Sequence, residues 1–210
     1  MRYVGRENVR KLLEPLEGSP GRTVYLDGAV ELVSDTFQGV RHFRPSFGLA
    51  HAGTYDRIHV RPLLDEIARD HVIAVLLVRL GGYAAGVFDG ERLVASKVGS
   101  RFVKNRHKKG GSSANRFRRR REEQAKALVE EAADVAVALL GPWRERARFG
   151  ALGGDRNAVE ATLRARPELA WLEERAVDRF LTVPEPRQRT LEQLPYDLYA
   201  VELRDDEHAH

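Results

Sequence analysis

The chain has 210 residues, 42% of them hydrophobic and 31% charged, which fits a folded globular protein and excludes a disordered one. It contains no cysteine, so disulfide frameworks, thiolate nucleophiles and cysteine-bound zinc are excluded. The net charge is a modest +4, from 35 basic and 31 acidic side chains.

Residues 6–16, RENVRKLLEPL, place Val9, Leu12, Leu13 and Leu16 at helical spacing, with Pro15 shortening the helix. Residues 17–22 form a loop. TVYLDGAVELV follows as a hairpin turning at Asp27-Gly28. Residues 36–58 mix aromatics, Gly and His without a clear period and are expected to be irregular. VRPLLDEIARD, residues 60–70, makes a short helix with Leu63, Leu64 and Ile67 on one face.

HVIAVLLVRL is the continuous apolar run of a central strand. Gly81-Gly82 turns it into YAAGVF, and Asp89-Gly90 turns that into RLVASKV, so three antiparallel strands form a meander. The run Val72–Val78 is too short to cross a bilayer, and MRYVGRENVRK lacks the apolar core of a signal peptide. No membrane association and a cytoplasmic location are therefore expected.

From Ser113 to Leu140 an amphipathic helix carries the stripe Ala125, Leu128, Val129, Ala132, Val135, Ala136, Leu139, and Gly141-Pro142 stops it. RARFGAL is a short strand, Gly153-Gly154 a turn, and Asp155 the N-cap of a helix over NAVEATLRAR. AVDRFLTV and YDLYAVEL are expected as two more strands, with a helical turn over residues 187–193 between them. The expected division is an N-terminal extension or small subdomain (1–60), an α/β domain with a mixed sheet (61–205) and a polar tail (206–210).

Residues 97–121 hold 11 Lys or Arg and no acid. Taking those 11 from the 35 leaves 24 basic against 31 acidic side chains in the rest of the chain. Charge so concentrated points to a phosphate-rich partner. The candidate RNA contacts are Lys104, Arg106, His107, Lys108, Lys109, Arg116, Arg118, Arg119, Arg120 and Arg121.

Gly110 and Gly111 permit close backbone approach just before a helix N-terminus, where unpaired N–H donors face outward. Such a tip can hold a phosphate, or it can stabilise an oxyanion and orient a water. Ser112 or Ser113 with His107 would suggest a nucleophilic hydroxyl, but no orienting carboxylate lies in the stretch. The acids elsewhere show no metal-ligand spacing, so no metal or cofactor is expected.

His107-Lys108-Lys109-Gly110-Gly111, then Ser113, Arg116-Phe117, Arg119 and Arg121-Glu122, resembles the GGQ segment of the middle domain of eukaryotic and archaeal peptide-chain release factors. The chain is similar above all to the actinobacterial branch of release-factor-like peptidyl-tRNA hydrolases, related to the tRNA-releasing factor of ribosome quality control. The likeness runs from about Val72 to Leu203.

The resemblance implies a ribonuclease-H-like α/β fold whose Gly-Gly loop enters the peptidyl-transferase centre of the large ribosomal subunit. There it promotes hydrolysis of the ester of peptidyl-tRNA, with Gly110, Gly111, Ser112 and Ser113 at the catalytic tip. Ser112 stands where release factors have Gln. In the family that position works largely through its backbone N–H, which Ser keeps. A non-catalytic ribosome or structured-RNA binding module is the alternative, and a nuclease the weaker third.

Overall fold

The structure, a computed structural model, describes residues 1–37, 39–100 and 112–206, with only the backbone at residues 112–115, 117 and 206. Strand β1 (Arg2–Val4) and helix α1 (Arg6–Leu13) come first. Then follow β2 (Arg22–Leu26), β3 (Ala29–Ser34), β4 (Gly39–Pro45), β5 (Gly53–Tyr55) and helix α2 (Arg61–Ala68). The middle of the chain holds β6 (Val72–Arg79), β7 (Gly82–Asp89), β8 (Arg92–Ser100) and the long helix α3 (Ser112–Leu140). After it come β9 (Phe149–Gly154), α4 (Arg156–Ala165), α5 (Ala170–Glu174), α6 (Gln188–Leu198) and β10 (Val201–Asp206).

The chain divides into two units, Met1–Asp70 with Pro195–His210, and His71–Leu194. The sequence placed a division at residue 60 and ran the second domain on to 205. The structure instead keeps α2 with the first unit and returns the last strand to it.

In the first unit the strands lie in the order β1-β10-β4-β3-β2-β5, with every neighbouring pair antiparallel. The β2–β3 hairpin turns through Asp27 (φ 51°) and Gly28 (φ 72°), both left-handed, the combination that an Asp-Gly pair accepts most readily. Tyr25, Val30, Leu32, Phe43, Val201 and Leu203 pack against Val9 and Leu13 of α1 and Leu63, Leu64 and Ile67 of α2. Residues 36–58 are not irregular throughout, since β4 and β5 lie within them. β4 is held by β10, more than 150 residues away, and a pairing so distant leaves no local period to read.

Helix α2 is capped from outside its own segment. The Glu17 carboxylate accepts from the N–H of Val60 at 2.7 Å and of Arg61 at 3.0 Å, and its other oxygen meets His59 Nδ1 at 2.8 Å. Partial burial pushes the Glu17 pKa up, but these hydrogen bonds outweigh it and hold the carboxyl below its ordinary range. Buried Thr23 is satisfied as well, donating to Arg57 O and accepting from His59 N, each at 2.9 Å.

The second unit has the expected meander and mixed sheet, ordered β8-β7-β6-β9. β6 pairs antiparallel with β7 and parallel with β9, so it is central and buried on both faces, which its unbroken apolar run reflects. Ala74, Leu76 and Val78 of β6 and Tyr83, Ala85 and Val87 of β7 form one core with Leu128, Ala132 and Ala136 of α3 and Val159 and Leu163 of α4. Asp155 caps α4 as expected, its side chain accepting from Ala158 N at 3.0 Å.

Two expected strands differ. Residues 176–183 touch β9 only at isolated bridges, Gly150↔Ala176 and Gly153↔Leu181. Five residue steps on one side face three on the other, so the chain bows out between them. In YDLYAVEL the first residues continue α6, whose Leu191, Leu194 and Leu198 follow a helical period, and the strand begins at Val201. Gly153-Gly154 ends β9 and makes no separate turn. Asp206, expected in the polar tail, belongs to β10, and residues 207–210 lie outside the described residues.

Candidate functional site

Helix α3 has two different parts. Among its described side chains none before Leu128 is a core residue. Arg116, Arg118, Arg119, Arg120, Glu122 and Glu123 are exposed and Arg121 is half-buried. Arg116 and Arg118 to Arg121 therefore spread along about 9 Å of helix outside the core.

This start is poorly built for stability. Its first turn, Ser112 to Asn115, carries no acid to complement the macrodipole. Arg118 meets Glu122, and Arg119 meets Glu123, both at 3.8 Å with side chains 73% and 85% exposed on the Arg side. Such exposed i,i+4 pairs contribute about 0.3 kcal/mol, and Arg preceding Glu is the weaker order. Arg116, Arg120 and Arg121 form no ion pair among the described residues. The arrangement suits an external polyanion better than the helix itself.

Behind the cationic turns the helix is tied to the sheet. Tyr83, only 3% exposed, donates from Oη to Glu131 Oε1 at 3.0 Å. In β8 the residue opposite Tyr83 is Gly99, and a Cβ there would lie 2.2 Å from Tyr83 Cζ. A glycine is thus required for the ring to lie across the end of β8, next to where the basic stretch leaves the strand. Nothing in the sequence singled out Tyr83, Gly99 or Glu131. Their roles come from a cross-strand register and a contact between residues 48 apart.

Of the candidate catalytic residues, Ser112 and Ser113 are the first two of α3. Their N–H groups are among those that no preceding turn of helix can satisfy. Gly110 and Gly111 lie outside the described residues, as do Lys104, Arg106, His107, Lys108 and Lys109. Arg116, Arg118, Arg119, Arg120 and Arg121 come together on the first turns of one helix. Among the described residues no group of three or more His, Cys, Asp or Glu is placed to hold a metal ion, and no helix is long and apolar enough to cross a membrane.

A mixed sheet packed against a long helix, with the basic stretch leading from the last meander strand into that helix, defines an α/β domain with a cationic helix start. The family model described as "Actinobacteria/chloroflexi VLRF1 release factor" matches residues 71–204, and the chain belongs to this family. That match covers the stretch on which the resemblance rested, and membership places the chain among translation release factors. Similar solved structures include an archaeal translation termination factor, aRF1, at 13% identity and TM-score 0.45, over 93% of this chain and 73% of that one. Another, an archaeal protein, is 13% identical with TM-score 0.42, over 94% and 74% of the two chains. No curated protein matches the chain.

Proposed function

We propose that the chain is a peptidyl-tRNA hydrolase that releases nascent peptide from tRNA on stalled ribosomes in the cytoplasm. One observation carries this reading: Gly110-Gly111 directly precedes a helix whose first turns bear exposed cations, with no core residue before Leu128 among the described side chains. The cations hold the phosphates of the large-subunit RNA and the tRNA, and this brings the tip to the ester at the peptidyl-transferase centre.

Hydrolysis of that ester needs a placed water and a donor to the tetrahedral oxyanion. The backbone N–H groups of Gly111 and Ser112 act as the donor, a contribution worth about 3 to 4 kcal/mol where it has been removed in other enzymes. The water attacks the carbonyl carbon, the ester C–O bond breaks, and the tRNA ribose leaves as its hydroxyl. Proton transfer falls to the substrate's ribose or to the ribosome, because residues 97–121 supply no carboxylate. The chain acts mainly by positioning.

Ser112 in place of Gln favours a second reading, a ribosome-binding module without catalysis. Incubating purified protein with peptidyl-tRNA on large ribosomal subunits separates the two. Free peptide with intact tRNA supports hydrolysis, binding without release supports the module, and shortened tRNA would mean a nuclease.

A further inference from the structure

In the second unit, α3 and α4 leave an open trench of about 450 Å³ between them. Its walls are Ala125, Leu128 and Val129 of α3 and Ala158 and Ala161 of α4, with Leu80 of the β6–β7 turn at the rim. Leu80 is 47% exposed, a large apolar side chain left in solvent beside an apolar trench. Alanine at three of the five wall positions keeps the trench shallow and lets a partner backbone come close.

Charge around the trench is unequal. Toward the far end of α3, Arg166 bridges Glu130 at 2.9 Å and Asp134 at 2.6 Å, so those two acids are already neutralised. Asp155 lies on the rim but is engaged as the α4 cap. Asn157 beside it is neutral. The cations are on α3: Lys126 in the lining and Arg121 one turn before Ala125 on the same helix face, whereas Arg118, a further turn back, already meets Glu122. Lys126 and Arg121 have no ion-pair partner among the described residues.

We propose that this trench docks an acidic amphipathic helix of a partner protein. Two apolar anchors one turn apart would enter between Leu80, Leu128 and Ala161, and flanking Asp or Glu side chains would meet Lys126 and Arg121. RNA fits less well, because the described lining offers no aromatic ring on which an unstacked base would lie. The trench is formed by α3 residues from Ala125 onward and gives the protein a recruiting contact that does not depend on hydrolysis.

The test uses the full chain with isotope-labelled methyl groups and no ribosomes, so its failure leaves the proposed hydrolysis untouched. Three probes are titrated: a synthetic helical peptide with two leucines one turn apart flanked by Glu, the same peptide flanked by Lys, and a single-stranded oligoribonucleotide. The acidic peptide is expected to shift the Leu80, Leu128, Val129, Ala158 and Ala161 methyl signals saturably, with affinity falling as salt rises. Ala161→Arg is expected to weaken it at least about tenfold, and the fold-neutral surface change Lys126→Glu several-fold. Absence of saturable shifts at millimolar acidic peptide would overturn the proposal, as would equal binding of the Lys-flanked peptide or indifference to Lys126→Glu. Oligoribonucleotide binding that moves the same methyls and is lost in Ala161→Arg would give the trench to RNA instead.

Discussion

Ser112 is the residue on which the chemistry turns. If the tip acts through its backbone, Ser112→Ala should retain most peptide release, whereas Ser112→Pro should abolish it by deleting the N–H. Both variants should bind ribosomes normally, because the cations remain. Loss of release in Ser112→Ala together with His107→Ala would favour a side-chain mechanism. Glu17 makes a prediction about stability. Its folded pKa lies below the ordinary Glu value of 4.5, so its contribution is present above that value and disappears as pH falls through the folded pKa. Glu17→Gln should therefore cost about 0.5–1 kcal/mol at neutral pH, the size of a capping loss, and much less in acid. Urea unfolding at the two pH values checks this, and an equal loss at both would contradict it. The Gly-Gly pair and the arginine run were legible in sequence because composition and spacing alone mark them. Glu17 as the α2 cap was not, since its partners lie 43 and 44 residues away.

At the scale of elements, α3 explains why so much charge is tolerated. The core holds the helix from Leu128 onward and Tyr83 ties it to β7, so the first turns need not stabilise themselves. Replacing Arg118, Arg119 and Arg120 by Ala should leave the fold intact and weaken ribosome or tRNA affinity. The salt dependence should flatten by about two to three in log–log slope. An unchanged slope would move the RNA contact off this helix. The extent of α3 and the central position of β6 could be read in advance, because a 3.6-residue stripe and an unbroken apolar run are local patterns. β4, and the bowed segment that replaces a strand at residues 176–183, could not, because distant register decides them.

At the scale of the whole molecule, the first unit is closed by the last strand of the chain, and β10 lies between β1 and β4. No local signal announces that return, which is why the sequence assigned residues 195–205 to the other domain. The family match at 71–204 likewise takes in part of this returning strand. The second unit, His71–Leu194, holds the meander, α3 and the start of that helix on which the proposed function rests. The most direct measurement is the rate of peptide release from peptidyl-tRNA on large ribosomal subunits at saturating protein, for the wild type and for Gly111→Val. The wild type should release peptide with intact tRNA, and the variant should lose about 100-fold or more of that rate with ribosome affinity unchanged. A wild type that binds without releasing peptide, or a variant that releases it equally fast, would contradict this expectation.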